Sequence, residues 1–296
     1  MTQQNTRLGI LFMIAATLVF TAQDALSRML GAHNNVFVVV MIRYWFFAAF
    51  VIALALRSSG GLRGVLRSRY PVLQSLRGLL LVAEICVMVI AFVKLGLIAT
   101  HAVFACYPLL VSALSGPVLG ETVGWRRWTA VAIGFVGVII ILNPGAGVLS
   151  FWSLVPLAAA AMFAIYGLLT RYVARGDGPA VSFFWAGTVG AVAITIVGLI
   201  SWQPLRPEDW PLMATLCCTG VLGHWCLIRS FDAAEASAVQ PFSFLQILWA
   251  TGVGVFFFHE ELHLNILVGA GVVIAAGLFT LWRAKVKGEV TPAAPR

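Results

Sequence analysis

The chain has 296 residues, 61% of them hydrophobic and only 10% charged, with a mean hydropathy of +0.97. A soluble globular chain is about 45–50% apolar and about 25% charged, so this one must take lipid as its solvent. The net charge of +8 comes from basic residues at the ends of apolar runs, with no basic stripe interleaved with aromatics, which argues against nucleic acid as a partner. The five cysteines, Cys86, Cys106, Cys217, Cys218 and Cys226, lie inside apolar segments. They read as small buried hydrophobes, without a disulfide framework or a metal-binding spacing.

A span needs roughly 20 mostly apolar residues. That length predicts ten helices, at about 8–30, 36–56, 76–96, 98–119, 126–143, 151–173, 180–202, 210–231, 236–258 and 264–283. The first stays apolar from Leu8 to Met29, longer than the core of a signal peptide, and is read as a retained helix. Connections are short; the longest, Arg57 to Ser75, carries Gly60-Gly61 and four arginines. With an even count both termini share one side. That side receives Arg7, Arg57, Arg63, Arg67, Arg69, Arg77, Arg126, Arg127, Arg171, Arg175, Arg229, Arg283, Lys285, Lys287 and Arg296. The other side receives only Arg28, Lys94 and Arg206. The bias predicts that both termini are cytoplasmic. Trp125, Trp128, Trp152, Trp202, Trp210 and Trp282 fall at predicted span ends, as an interfacial belt would require.

Two spans share an unusual design. The fourth contains Tyr107-Pro108 and ends at Gly120-Glu121; the ninth contains Pro241 and ends at His259-Glu260. A proline inside a helix breaks the ladder at a cost of about 3 kcal/mol, and membrane helices tolerate it where the freed groups face protein or a water-filled cavity. The pair belongs to a wider repeat. A shift of 143 positions carries Ala15, Ala16, Phe20, Leu26 and Arg28 onto Ala158, Ala159, Phe163, Leu169 and Arg171. A shift of 139 carries Glu121 onto Glu260 and Ala130 onto Gly269. Each half then holds five spans, an odd number, so the second half enters the membrane upside down, the pattern of secondary transporters with midplane sites. The predicted architecture is an all-α polytopic membrane protein of ten transmembrane helices in two inverted five-helix repeats. Their bounds are 1–145 and 146–284, with a cytoplasmic tail at 285–296.

Gly120-Glu121, Ala130, Gly134-Phe-Val-Gly137, His259-Glu260, Gly269-Ala-Gly271 and Gly277 carry a family resemblance. The chain resembles a drug/metabolite transporter of the EamA type, and as a whole it is similar to the YddG-like exporters of aromatic amino acids within that superfamily. Ala130 stands where that family usually has glycine, and no glycine precedes Glu260. The resemblance implies a multi-pass protein of the inner membrane that exports aromatic amino acids and similar apolar metabolites.

Ionisable groups at membrane depth are candidate functional residues. Asp24 and Arg43 lie about six and seven residues from the outer ends of their spans, or about 9–10 Å deep at 1.5 Å per residue. At one level they could form a structural ion pair; the alternative is an outer-half site or gate whose charges engage an amino acid's ammonium and carboxylate. Glu84, near the midplane, is either a proton- or cation-binding group or a neutral hydrogen-bonded acid. His101 and His224 are read first as helix–helix hydrogen-bonders, with His224 kept among the cavity candidates. The predicted substrate-binding set is Phe20, Gln23, Asp24, Arg43, Glu84, Tyr107, Pro108, Phe163, Tyr166, His224, Pro241, Ser243, Phe244 and Gln246. Aromatic walls with a few polar tips suit a flat apolar substrate.

His259-Glu-Glu-Leu-His263 matches the H-E-x-x-H zinc-protease pattern. That chemistry needs both histidines on one helix face and a third ligand, but the stretch falls on a short turn between spans and the repeat counterpart of Glu260, Glu121, has no flanking histidines, so no metal, cofactor or catalytic residue is expected. No G-x-x-x-x-G-K-[ST] loop occurs, which removes ATP as a direct driver. The predicted function is a secondary transporter working by alternating access on aromatic or other apolar amino acids. An intramembrane zinc protease, a passive channel or lipid scramblase, and a transporter of a different small metabolite or drug are the alternatives. Lipid and a small-molecule substrate are the expected partners; a monomer is compatible with the sequence.

Overall fold

The structure, a computed structural model, describes residues 5–58, 60–120, 124–142, 151–234 and 236–286. Glu121, Lys287 and Arg296 lie outside these residues, as does most of the tail. Ten helices are long and apolar enough to cross a membrane, and no strand occurs among the described residues. They are α1 (Thr6–His33), α2 (Val36–Arg57), α3 (Pro71–Leu95), α4 (Leu97–Leu119), α5 (Trp125–Leu142), α6 (Phe151–Val173), α7 (Pro179–Ile200), α8 (Trp210–Ala233), α9 (Gln240–Phe258) and α10 (Leu264–Val286). The predicted spans reappear, with ends displaced by several residues. The largest displacement is in α3, which starts at Pro71 instead of 76 because a proline at the first helical position loses no hydrogen bond.

Local chemistry explains the boundaries. Asn5 and Asn35 cap α1 and α2, their side-chain oxygens accepting from the N–H groups of Leu8 and Phe37. Gly120 and His259 close α4 and α9 in the left-handed region, at φ +75° and +52°. Near Pro108 and Pro241, α4 and α9 are broken, whereas α6 runs on through Pro156 and α4 through Pro117. In α4 the chain is helical over Leu97–Phe104, then Cys106 N–H bonds back only three residues to Val103 before Tyr107–Leu119 resumes. In α9 Pro241 confines Gln240–Phe244 to a 3-10 turn that leads into Leu245–Phe258.

Helices pack most extensively as α1 on α8, α5 on α10, α3 on α6 and α2 on α7. Between α5 and α10 a Cβ on Gly137 would lie 2.8 Å from the Gly269 carbonyl, so only glycine permits this approach. The outward faces carry bare apolar side chains, such as Phe256 and Phe257 at 81% and 79% exposure, as lipid contact demands. Trp45 and Trp225 also face outward. The other two internal tryptophans bond across helices, Trp185 to the Val65 carbonyl and Trp249 to Thr17.

Candidate functional site

Along α1, Thr17, Phe20, Asp24 and Ser27 recur at helical spacing and share one face. Thr17, Thr21 and Ser27 spend their hydroxyls on their own helix. Asp24 instead reaches across. Its Oδ2 accepts from Gln246 Nε2 of α9 at 3.1 Å and lies 3.2 Å from His101 Nε2 of α4. His101 is buried and lies against the Phe92 ring of α3, with centroids 5.3 Å apart.

The Asp24–Arg43 ion pair does not form. Arg43 makes no ion pair or hydrogen bond with a described residue, and a Cβ added to Gly220 of α8 would lie 4.0 Å from its Nε. Equal depth fixes a level along the membrane normal but leaves the direction around each helix free, and Asp24 is taken by His101 and Gln246. Glu84 is buried on α3, within electrostatic range of both Asp24 and Arg43. Beside them, the buried Gln23 Oε1 and Tyr44 hydroxyl have no hydrogen-bond partner among the described residues.

Two aromatic sets flank these groups. Phe20 meets His224 edge-on at 5.3 Å, and Phe47 and Phe183 complete that set. His224 Nδ1 is held by the Gly220 carbonyl of its own helix at 2.9 Å. In the second set Phe163 contacts Phe104, Tyr107 and Tyr166, with centroids 5.5, 5.0 and 5.8 Å away. Tyr107 lies within electrostatic range of Ser243, across the two proline-broken helices, and the Ser243 hydroxyl donates to the Gln240 carbonyl at 2.8 Å. Pro108 and Pro241 are the breaks themselves. Phe244 departs from its expected place: it packs over Gly277 of α10, where glycine leaves room for the ring.

Both ends of the bundle are tied. At one end the Glu260 carboxylate pairs with Arg28 and accepts from the first N–H groups of α4, Leu97 at 2.8 Å and Ile98 at 2.9 Å. This is where a helix attracts negative charge. Gly96, at φ +87°, leaves the space the carboxylate fills, since a Cβ there would lie 2.7 Å from it. A cavity of about 440 Å³ opens beside this clamp, bounded by Arg28, His33, Arg206, Asp209 and Phe258.

At the other end Arg77 is buried on α3. It donates to Gln74, to Thr170 of α6 at 3.0 Å and to the Ser182 carbonyl of α7, and lies 5.2 Å above the Tyr166 ring. Asp177, in the α6–α7 turn, accepts from Ser68, Gln74 and the Arg69 N–H. Burial alone would raise its pKa, but the hydrogen bonds outweigh it and hold the carboxyl below its ordinary value. Sequence reading placed Arg77 with the loop charges and passed over Asp177, whose only signal was the Gly176-Asp-Gly-Pro turn.

The H-E-x-x-H stretch is unsuited to zinc. Residues 259–263 lie outside any helix, Glu260 is committed to Arg28 and α4, and His263 is exposed beside Glu261. Among the described residues no three histidine, cysteine or acidic side chains converge as a metal site. This geometry gives no support to the protease alternative.

A solved crystal structure superposes with a TM-score of 0.61 at 17% identity, covering 92% of this chain and 96% of the other, so the two share a fold. The S-adenosylmethionine uptake transporter of Rickettsia prowazekii is 23% identical over 277 residues, 94% of this chain and 93% of its own. The riboflavin transporter of Vibrio cholerae is 26% identical over 295 residues, 94% of each chain. The sequence profile of the EamA-like transporter family matches residues 7–143 and again 150–282. The ten apolar helices make this a multi-pass membrane protein, and the chain belongs to the EamA-like transporter family.

Proposed function

We propose that the protein is a secondary transporter of the drug/metabolite superfamily whose substrate is a small metabolite with a flat ring and a charged, amino-acid-like end. The observation that carries this reading is the Asp24–Gln246 hydrogen bond. It links the two aromatic sets: Phe20 is one turn before Asp24, and Ser243, within electrostatic range of Tyr107, is one turn before Gln246. Rings have walls on both flanks, and Asp24 and Arg43 supply charges of opposite sign between them, with the buried Glu84 beside them.

Aromatic amino acids fit this description, as the resemblance to their exporters implied. The S-adenosylmethionine uptake transporters among the relatives widen it to amino acids that carry a purine ring. Each family match covers five of the ten helices. That supports the reading of two five-helix halves in opposite orientation, which would gate the site in turn. The halves 1–145 and 146–284 and the cytoplasmic termini belong to the same proposal. So do the substrate roles of Phe20, Gln23, Asp24, Arg43, Glu84, Tyr107, Phe163, Tyr166, His224, Ser243 and Gln246.

Counterflow in proteoliposomes tests it. Vesicles preloaded with tryptophan, phenylalanine, S-adenosylmethionine or riboflavin should take up the labelled form of at least one ring-bearing amino acid saturably. Exchange of riboflavin alone would overturn the requirement for an amino-acid end, and loading one side at a time reads the direction.

A further inference from the structure

We infer that Asp24, His101 and Gln246 form a proton-exchange site, through which a proton moves in one direction as the cationic end of the substrate moves in the other. The inference rests on the transport reading above and adds its energy source. His101 Nε2 is fully enclosed and lies 3.2 Å from Asp24 Oδ2, yet it makes no aligned hydrogen bond. Gln246 Nε2, which does bond to that oxygen, approaches from a different helix. Asp24 therefore sits between a titratable base and a fixed donor, on the face of α1 that carries Phe20.

The step balances without any other reactant. With the site empty, His101 holds a proton and its imidazolium neutralises the Asp24 carboxylate. The substrate's ammonium then takes the place of the imidazolium at Asp24. Deprived of its counter-charge in a low-dielectric setting, His101 releases the proton from Nε2 to water on the open side. When the substrate leaves on the opposite side, His101 takes a proton from water there and closes on Asp24 again.

The surrounding charges fit this exchange. From α2, Arg43 is the remaining cation; from α3, Glu84 interacts electrostatically with Asp24. From α8, His224 is committed to the Gly220 carbonyl. From α6, Tyr166 faces Arg77. The helix α9 has no titratable side chain between Leu245 and Phe258, and α5 and α10 carry theirs only in terminal turns. His101 is thus the base nearest Asp24.

The experiment uses full-length protein in proteoliposomes containing a trapped pH dye, with potassium and valinomycin clamping the voltage. The probe is tryptophan or S-adenosylmethionine, whichever exchanges in counterflow. One-for-one exchange predicts about tenfold accumulation of the probe on the acidic side per unit of pH difference, since one unit is a factor of ten in proton activity. Adding the probe without a gradient should also produce dye-reported proton movement out of the compartment the probe enters. His101→Gln should keep counterflow and lose both effects. Gradient-driven accumulation that persists in His101→Gln overturns the inference. So does wild-type probe movement with no proton flux, or with a requirement for sodium; these need no variant. If neither compound exchanges in the wild type, the substrate reading itself is overturned.

Discussion

Gln246 donates to Asp24 across 3.1 Å, so the turn that follows Pro241 is tied to the middle of α1. The bond is charge-assisted, and removing the donor leaves a carboxylate only partly exposed to water. Losing such a bond costs about 1.5–3 kcal/mol. Gln246→Leu should therefore weaken half-saturation in counterflow about tenfold or more, while Gln246→Glu should place two acids together and lose exchange altogether. Concentration dependence of initial counterflow rates measures both. Unchanged half-saturation in both variants would remove Gln246 from the site.

Phe163 and Tyr107 meet edge-on at 5.0 Å, and Tyr107 lies within electrostatic range of Ser243. Truncating Phe163 to alanine should reduce exchange of ring-bearing substrates more than Phe163→Tyr or Phe163→Trp, which keep a stacking face. A loss of about 1 kcal/mol of aromatic contact corresponds to roughly fivefold weaker half-saturation. Tyr107→Phe separates the hydroxyl from the ring and should have the smaller effect.

The clamp of Glu260 with Arg28 and the start of α4 makes a stability prediction. Both side chains are mostly buried, at 13% and 19% exposure. Removing one partner of such a pair costs about 3–5 kcal/mol. Glu260→Gln should lower the melting temperature of detergent-purified protein, and Arg28→Met combined with Glu260→Leu should lower it less than either change alone. Zinc chelators should leave both melting and transport unchanged, because the neighbouring histidines hold no metal geometry. A chelator-sensitive melt would reverse that reading.

Asp177 makes the fold sensitive to acid. Its folded-state pKa is depressed by bonds from Ser68, Gln74 and the backbone, which outweigh the effect of burial. The unfolded value is about 3.9. The stabilisation is therefore fully present above that value and is lost as pH falls through the folded-state pKa. Melting curves from about pH 6 to about pH 3 should show wild type losing an increment that Asp177→Asn lacks. Parallel curves for the two proteins would contradict the role of this turn.

Hydropathy makes the ten helices legible in the sequence, and Pro108 and Pro241 mark the breaks in α4 and α9. Repeat arithmetic paired Phe20 with Phe163, and each does anchor one aromatic set. What pattern does not carry is azimuth. Span arithmetic puts Asp24 and Arg43 at one level, but the partners of Asp24 come from α4 and α9, helices distant in sequence. His101, set aside as a helix-packing residue, proves to be the base beside Asp24. Arg77 was read as a loop charge because long polar side chains look alike in sequence, whether they reach water or bury against carbonyls and rings. Phe244, three residues from a predicted break, packs over Gly277, a contact that helical spacing from Pro241 does not carry because 3-10 geometry turns consecutive side chains through a wider angle than an α-helix does.

Saturable counterflow in proteoliposomes is the most direct test of whether the groups around Asp24, between the Phe20 and Phe163 sets, form a transport site. Exchange of tryptophan or S-adenosylmethionine by the wild type, strongly reduced in Asp24→Asn and Phe163→Ala, is the expected result. Exchange that is absent for every ring-bearing compound, or equally strong in both variants, would contradict it.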